Sequence, residues 1–373
     1  SIVVIYTGDE YHNSGTGKAT FKVYRENEVT NSTFFNFFDN NGVLRDNITF
    51  DELIFKGEFS NLGVDAIGIN KSVDLIGDGA VLEDIGLIIG ADDVTVDNFA
   101  INLSNESGAG AAIVVYGDDV CVENSLITVN SSEDDDSFAI LVEDAEDFTL
   151  INNVINYTGN SDGSAVNNAI RLEDAGGAVI EDNIINISIP SVPVTYLPPD
   201  WDATVLSEGI VVDTSDDVVL SNNTINVDYN KVTGAYDSVY AVEFVDSDNA
   251  VITDNEITTN GNSYAYGLTL NGENFTVEGN NITTTGNNYA NGIQINGPAS
   301  GNITGNNIDA EAPSVVYPVY SYGRNVVTYT DNNISGTSNS VYAMELFGTN
   351  ETVKDNNIVA NGNFTIGVAS KSI

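Results

Sequence analysis

Carboxylates are the groups of this 373-residue chain best placed to do chemistry, and they come in clusters. Asp92-Asp93, Asp118-Asp119, Asp144–Asp147, Asp213–Asp217 and Asp246–Asp248 recur along the chain. Two carboxyls facing one cleft, roughly 5–10 Å apart, would suit glycosidic bond hydrolysis. Clustered carboxylate and carbonyl oxygens would instead suit Ca²⁺. An elimination reaction would need an Arg or Lys base beside carboxylates. The basic candidate, Arg171, has Leu141 and Val211 as its expected neighbours one repeat away, not acids. Glu243 and Glu345 fall in the same column as Arg171 but far from each other. No positioned His or Lys joins the acidic clusters, and the lone His12 lies outside the repeats. Histidine acid/base work and nucleophilic triads are therefore unsupported. The single Cys121 excludes an intramolecular disulfide framework and any multi-cysteine metal site. No catalytic residue follows from the sequence. Ca²⁺ is the one cofactor these turns could take, although no EF-hand or glycine-aspartate nonapeptide pattern is present.

The elements that must position such groups are repeats. Asn-Ile strings align in ten rows, through Ile101, Ile127, Ile155, Ile185, Ile225, Ile257, Ile282, Ile308, Ile334 and Ile358, at spacings of 24 to 40 residues. Five residues before each Ile stands a second apolar residue, from Val96 to Val353. Two residues before, eight rows carry Asn: Asn153, Asn183, Asn223, Asn255, Asn280, Asn306, Asn332 and Asn356. Phe99 and Ser125 fill the first two rows. Between these strings lies a small-apolar-x-apolar motif, as in "AIRL" at 169, "GIVV" at 209, "AVEF" at 241 and "AMEL" at 343. Both motifs alternate with period two, and Gly, Asn, Asp and Ser separate them.

Short strands at a period of about 25 residues, with no helical pattern between them, read as an all-β solenoid. Variable spacing favours a single-stranded parallel β-helix, which accepts insertions at its turns while strand register holds. Crossover handedness makes it right-handed. About 12 coils at roughly 4.8 Å each give a rod about 55–60 Å long. Stacking sets each Asn over its counterpart in the next coil. An amide offers one acceptor and two donors, so the eight Asn are expected to form a ladder that satisfies the buried backbone of a bend. Asn also tolerates the left-handed backbone that such a bend requires.

Residues 1–50 do not fit the repeat, and "TFFNFFDNNG" at 33–42 reads as a cap over the open end; the β-helix is expected over 51–373. "FTIGVASKSI" starts another coil and stops, and Ser1 falls within an apolar stretch, which suggests a native chain that extends further. The longest row carries a turn insertion at 188–207 containing Tyr196 and Trp201, two rings that could stack on a sugar. That loop could equally cover the apolar outward column Ile88, Val114, Leu141 and Val211. Sequons such as Asn31, Asn47, Asn274 and Asn350 largely follow from the repeat.

The chain holds 55 acidic residues against 11 Lys and Arg, a formal charge of −44. Such a surface repels nucleic acid and anionic membranes. A 42% hydrophobic content still supports a large core. No run of about 18 apolar residues is present, so membrane insertion by this segment is not expected.

The coil "ITFDELIFKGEFSNLGVDAIGINKSVDLIGDGAVLEDIGLIIGADDVTVDNFAI" resembles the opening repeats of adhesin-like surface proteins of methanogenic archaea. The rows "VITDNEIT" and "FTVEGNNIT" resemble their pectate-lyase-like β-helix repeats. The resemblance covers about residues 47–373 and brings no catalytic residues. It implies an extracellular protein of the cell surface or wall whose partner is another cell's surface or a polysaccharide. The leading expectation is thus a non-enzymatic adhesin, a rigid acidic rod presenting binding loops. The alternative is a carbohydrate-active enzyme, a polysaccharide lyase or glycoside hydrolase of the β-helix type.

Overall fold

The computed structural model describes residues 2–6, 15–19, 26–104, 110–131, 137–159, 166–189, 206–229, 238–261 and 263–371. The chain winds as a right-handed parallel β-solenoid of about 11 turns. A typical coil contributes three strands, such as Val219–Ser221, Thr224–Tyr229 and Ser238–Val245. The third strands stack into one 12-stranded parallel sheet. The first two strands of each coil form the other walls, and in the early coils they are one long strand, as in Thr95–Leu103.

Register follows the repeat. Ile101 pairs with Ile127, Ile127 with Ile155, and the pairing continues rung by rung to Ile358. These side chains are buried from Ile101 to Ile334. Fixing one column fixes the rest, because slipping a strand by one residue would turn its apolar set outward.

The bend between the first and second strands uses two adjacent residues. One adopts the left-handed conformation: Asn124, Asn152, Asp182, Asn222, Asp254, Gly279, Gly305, Asp331 and Asp355 in successive rungs. The next residue is the column of Ser125 and the eight Asn, buried from Ser125 to Asn332 and half-buried at Asn356. The left-handed geometry therefore falls on the residue before the amide column and not on the amides themselves, so Asp, Asn and Gly share that place. Each interior Asn satisfies backbone on two rungs. Asn223 Nδ2 donates to the carbonyls of Ile180 and Ser221, both at 2.8 Å, and to Asn255 Oδ1 at 3.1 Å. Its Oδ1 accepts from the backbone N–H and Nδ2 of Asn183, both at 3.0 Å.

The acidic turns have the same backbone logic. Asp119, Asp147 and Asp217 are left-handed. Asp118 Oδ1 accepts from the Glu146 N–H at 2.9 Å, and Asp216 Oδ1 from the Asp248 N–H at 2.8 Å. These carboxylates cap turns of the neighbouring coil, and among the described residues no group of three or more acids, His or Cys is arranged to hold a metal. Their recurrence needs no ion to account for it.

At the N-terminal end, Ile2–Tyr6 and Gly15–Ala19 pair antiparallel, and Glu28–Thr30 already pairs parallel with Glu52–Phe59. Parallel pairing thus reaches back into the segment 1–50. The short helix Phe34–Phe37 places Phe34 flat on Phe38 at 4.6 Å. Phe38 meets Phe55, and Phe55 meets Phe99, at 6.1 and 5.3 Å, so the rings prolong the interior stack past the first coil. Among the described residues, no helix is long and apolar enough to cross a membrane.

Candidate functional site

The 12-stranded sheet does not alternate cleanly. In Ser238–Val245, Ala241 and Val242 are both buried, so Tyr240 and Glu243 both face outward. From Ala112 to Gly292 pairing skips one Ala or Gly per rung, and Pro318 takes that place in the next; Ser207 and Glu208 pair with Val239 and Tyr240, and pairing resumes at Ile210 with Val242. The kink needs a small side chain, since a Cβ on Gly209 would sit 2.2 Å from the Ala241 carbonyl oxygen. Two outward columns result, three residues apart. One runs Asn168, Glu208, Tyr240, Tyr266, Asn291, Tyr317 and the other runs Arg171, Val211, Glu243, Thr269, Gln294, Tyr320 and Glu345.

Across these columns Glu208 meets Glu243. Glu208 is only 5% exposed and hydrogen-bonds to Glu243 on the next rung. Burial pushes the Glu208 carboxyl up to about 8, with the neighbouring Glu243 charge adding to the effect and Arg171 opposing it. Burial also raises Glu243, while the bond from Glu208 acts in the opposite direction. A carboxyl raised to about 8 keeps its proton at neutral pH, and the pair holds that proton between Glu208 and Glu243, since two like charges in contact do not persist away from water.

Arg171 stands beside this pair. Its Nε binds Glu173 Oε2 at 3.0 Å and its Nη2 binds Asp213 Oδ2 at 3.1 Å. It does register with Leu141 and Val211. The sequence-based inference that it lacks acidic neighbours is nevertheless corrected, because the long side chain reaches two positions along the strands. Likewise Glu243 is distant from Glu345 but pairs with Glu208. Replacing Arg171 with Met removes the one influence that lowers Glu208. The pair should then keep its shared proton to higher pH, and the alkaline limb of any pH–rate profile should move upward, which a stopped-time assay across pH measures.

Beyond the acids the face is phenolic. Tyr240 stacks on Tyr266 at 4.4 Å, and contacts continue through Tyr289 and Tyr317 to Tyr342 and Phe364. Burial raises the hydroxyls of Tyr240, Tyr266, Tyr289, Tyr317 and Tyr320 and pushes Tyr266 and Tyr317 up to about 12, so these rings are neutral donors. The sequence signal was present: Tyr precedes the small residue in "VYAVEF", "AYGLTL", "VYPVYSY" and "VYAMEL". It was missed because strict period-two counting carries outward-facing from Glu243 to Ala241 and never to Tyr240 or Glu208.

Of the residues singled out from sequence, seven of the eight Asn lie buried inside the solenoid and Asn356 is half-buried in the last rung, all on the bend between the first two strands and not on this outer face. Tyr196, Trp201 and His12 lie outside the described residues. The strands Ile184–Ile189 and Leu206–Asp213 enter both ends of the span 188–207. Cys121 is half-buried, and burial beside Glu123, Asp97 and Asp74 pushes its thiol up to about 11, leaving little nucleophilic thiolate.

No family profile and no curated relative matches the chain. Among solved structures, the chain is similar to the A-module of the mannuronan C-5 epimerase AlgE6 of Azotobacter vinelandii, with a TM-score of 0.54 and 13% identity over 92% of this chain and 99% of that one. It also aligns with the periplasmic alginate epimerase AlgG (TM-score 0.46, 11% identity, 88% and 83% covered). A third match is the polygalacturonase of Erwinia carotovora ssp. carotovora (TM-score 0.35, 13% identity, 95% and 99% covered). The first establishes the pectate-lyase-like parallel β-helix. The expectation of a non-enzymatic adhesin is corrected: the solved structures similar to this chain are mainly polysaccharide-active enzymes, and the outer face carries an acid pair that the sequence reading did not see.

Proposed function

We propose that the chain is a carbohydrate-active enzyme that hydrolyses a polysaccharide on the outer face of the 12-stranded sheet. The observation that carries this reading is the Glu208–Glu243 pair, two carboxyls on adjacent rungs hydrogen-bonded to each other on the outer face, with Glu208 buried and pushed up to about 8. In the free protein the two acids bond to each other, closer than the roughly 5–10 Å between the carboxyls of working glycosidases. A glycosidic oxygen that accepts the Glu208 proton takes the place of Glu243 as its partner. Glu243 is then free to take a proton from the attacking water. The bond from the anomeric carbon to the leaving oxygen breaks, and water oxygen bonds to that carbon. Glu208 ends ionised and Glu243 protonated; transfer of that proton back to Glu208 resets the pair. Arg171, held by Glu173 and Asp213, limits how far the Glu208 carboxyl rises.

A polymeric substrate also suits an extracytoplasmic setting, compatible with the periplasmic epimerase that shares this fold. The test is product release: the purified chain incubated with neutral and acidic polysaccharides should yield new reducing ends from at least one. Release of unsaturated ends would replace hydrolysis by elimination. A folded chain that releases nothing from any polymer would overturn the reading.

A further inference from the structure

The two outward columns also bear on what kind of chain they hold. From Tyr240 to Tyr320 every outward side chain is an uncharged hydroxyl or amide except Glu243: Tyr266, Thr269, Asn291, Gln294 and Tyr317. This stretch covers four rungs, about 14 Å at the strand spacing, and begins at the acid pair. Three of its polar atoms and those flanking it have no partner although they are buried: Asn168 Oδ1, Thr269 Oγ1 and Asn291 Oδ1. Each of these residues is no more than 1% exposed. Those three atoms lie beneath the face; the groups a ligand can reach are the part-exposed Tyr240, Tyr266, Gln294, Tyr317 and Tyr320, whose hydroxyls and amide are uncharged hydrogen-bonding positions.

Charge narrows the choice. Among the described residues, Arg171 is the only cation in the two columns, and its guanidinium is already paired with Glu173 and Asp213. The remaining charges on the face, Glu243 and Glu345 with Glu173 and Asp213 beside them, are acidic, and the chain as a whole carries −44. A sugar acid brought here would lose water and meet like charge. A neutral hexose or pentose would meet acceptors and phenol donors. Ring stacking on the sugar is not the main device, since Tyr240 and Tyr266 cover one another's faces at 4.4 Å and offer edges and hydroxyls instead.

We propose that this face binds an uncharged polysaccharide lying along the rod axis and discriminates against polyuronates. The proposal rests on reading Glu208 and Glu243 as the reacting pair only for the position of the scissile bond; the preference for neutral polymer stands on the other residues. It sets this chain apart from the alginate epimerases of similar fold.

Affinity electrophoresis of the full chain through gels containing xylan, mixed-linkage glucan, galactomannan, polygalacturonate or alginate tests it, paired with reducing-end assays on the same polymers. Retardation by at least one neutral polymer is expected, changing less than about twofold across a tenfold rise in salt. No retardation by either polyuronate is expected at low salt. Tyr317→Phe, which removes a part-exposed hydroxyl, should weaken neutral binding about three- to tenfold, the range for one lost hydrogen bond, with the melting temperature unchanged. Tyr320→Phe, which removes a second part-exposed phenol hydroxyl of the same face, is the independent check. Neutral binding without product release would uphold this proposal and overturn the hydrolase reading. Product release from a polyuronate would uphold an enzyme and overturn this proposal, as would retardation by polyuronate alone or by none of the five.

Discussion

Glu208→Gln should lower the rate of product release about 10²- to 10⁴-fold, the range for loss of a positioned general acid. The amide has the shape of the protonated carboxyl and can still donate to Glu243, but it has no proton to surrender. Stability should move the other way at alkaline pH. Below the ordinary carboxyl value of 4.5, folded and unfolded chains both carry the Glu208 proton. Between there and about 8 the folded chain holds a proton that the unfolded chain has released. Wild-type stability therefore falls as pH rises through that window, by roughly 2–4 kcal/mol for a buried group. The glutamine chain escapes that loss. Its melting temperature should match wild type near pH 4 and exceed it near pH 9, measured by calorimetry. Wild-type activity should decline above about pH 8 as Glu208 deprotonates, and again on the acid side as Glu243 gains a proton. A Glu208→Gln chain with wild-type rates would remove Glu208 from the mechanism. A variant melting no higher than wild type near pH 9 would show that the Glu208 carboxyl is not raised.

The second large effect is structural. Asn223→Leu should destabilise the solenoid by roughly 3–6 kcal/mol. The substitution leaves the buried carbonyls of Ile180 and Ser221 and the backbone N–H of Asn183 without the amide that satisfies them. Each such group costs about 1–3 kcal/mol. Leucine adds apolar burial, but its branched end fills a place shaped by polar backbone. The control is Asn356→Leu, at a rung where the amide is only half-buried and its carbonyl partners lie nearer solvent, which should cost less than about 1 kcal/mol. Asn223→Ser should fall between them. Ser125 already occupies this column and uses its hydroxyl to donate to the Glu123 carbonyl and to accept the Phe99 N–H. Urea denaturation of the three variants orders them. Equal costs at rungs 223 and 356 would mean that burial of the amide does not set its worth.

Sequence alone determined the solenoid, because its stabilising contacts repeat. An Ile column, an Asn column and a period near 25 residues are each local strings. Stacking them in register is the one arrangement that buries the Ile and pairs the Asn. The turns were legible in kind, but their backbone role was not: Asp stands where a left-handed residue and an acceptor for the next coil's N–H are needed, as at Asp118-Asp119. The outer face was decided by tertiary structure. Glu208 and Glu243 are 35 residues apart in sequence, separated by segments whose lengths follow no repeat. Their meeting requires the kink at Gly209 and Ala241, which turns two positions three residues apart to the same side. Period-two counting has no term for that kink. The proton they share depends on burial, a property of the assembled sheet and of no single strand. Repetition made the scaffold readable, and the break in repetition placed the chemistry.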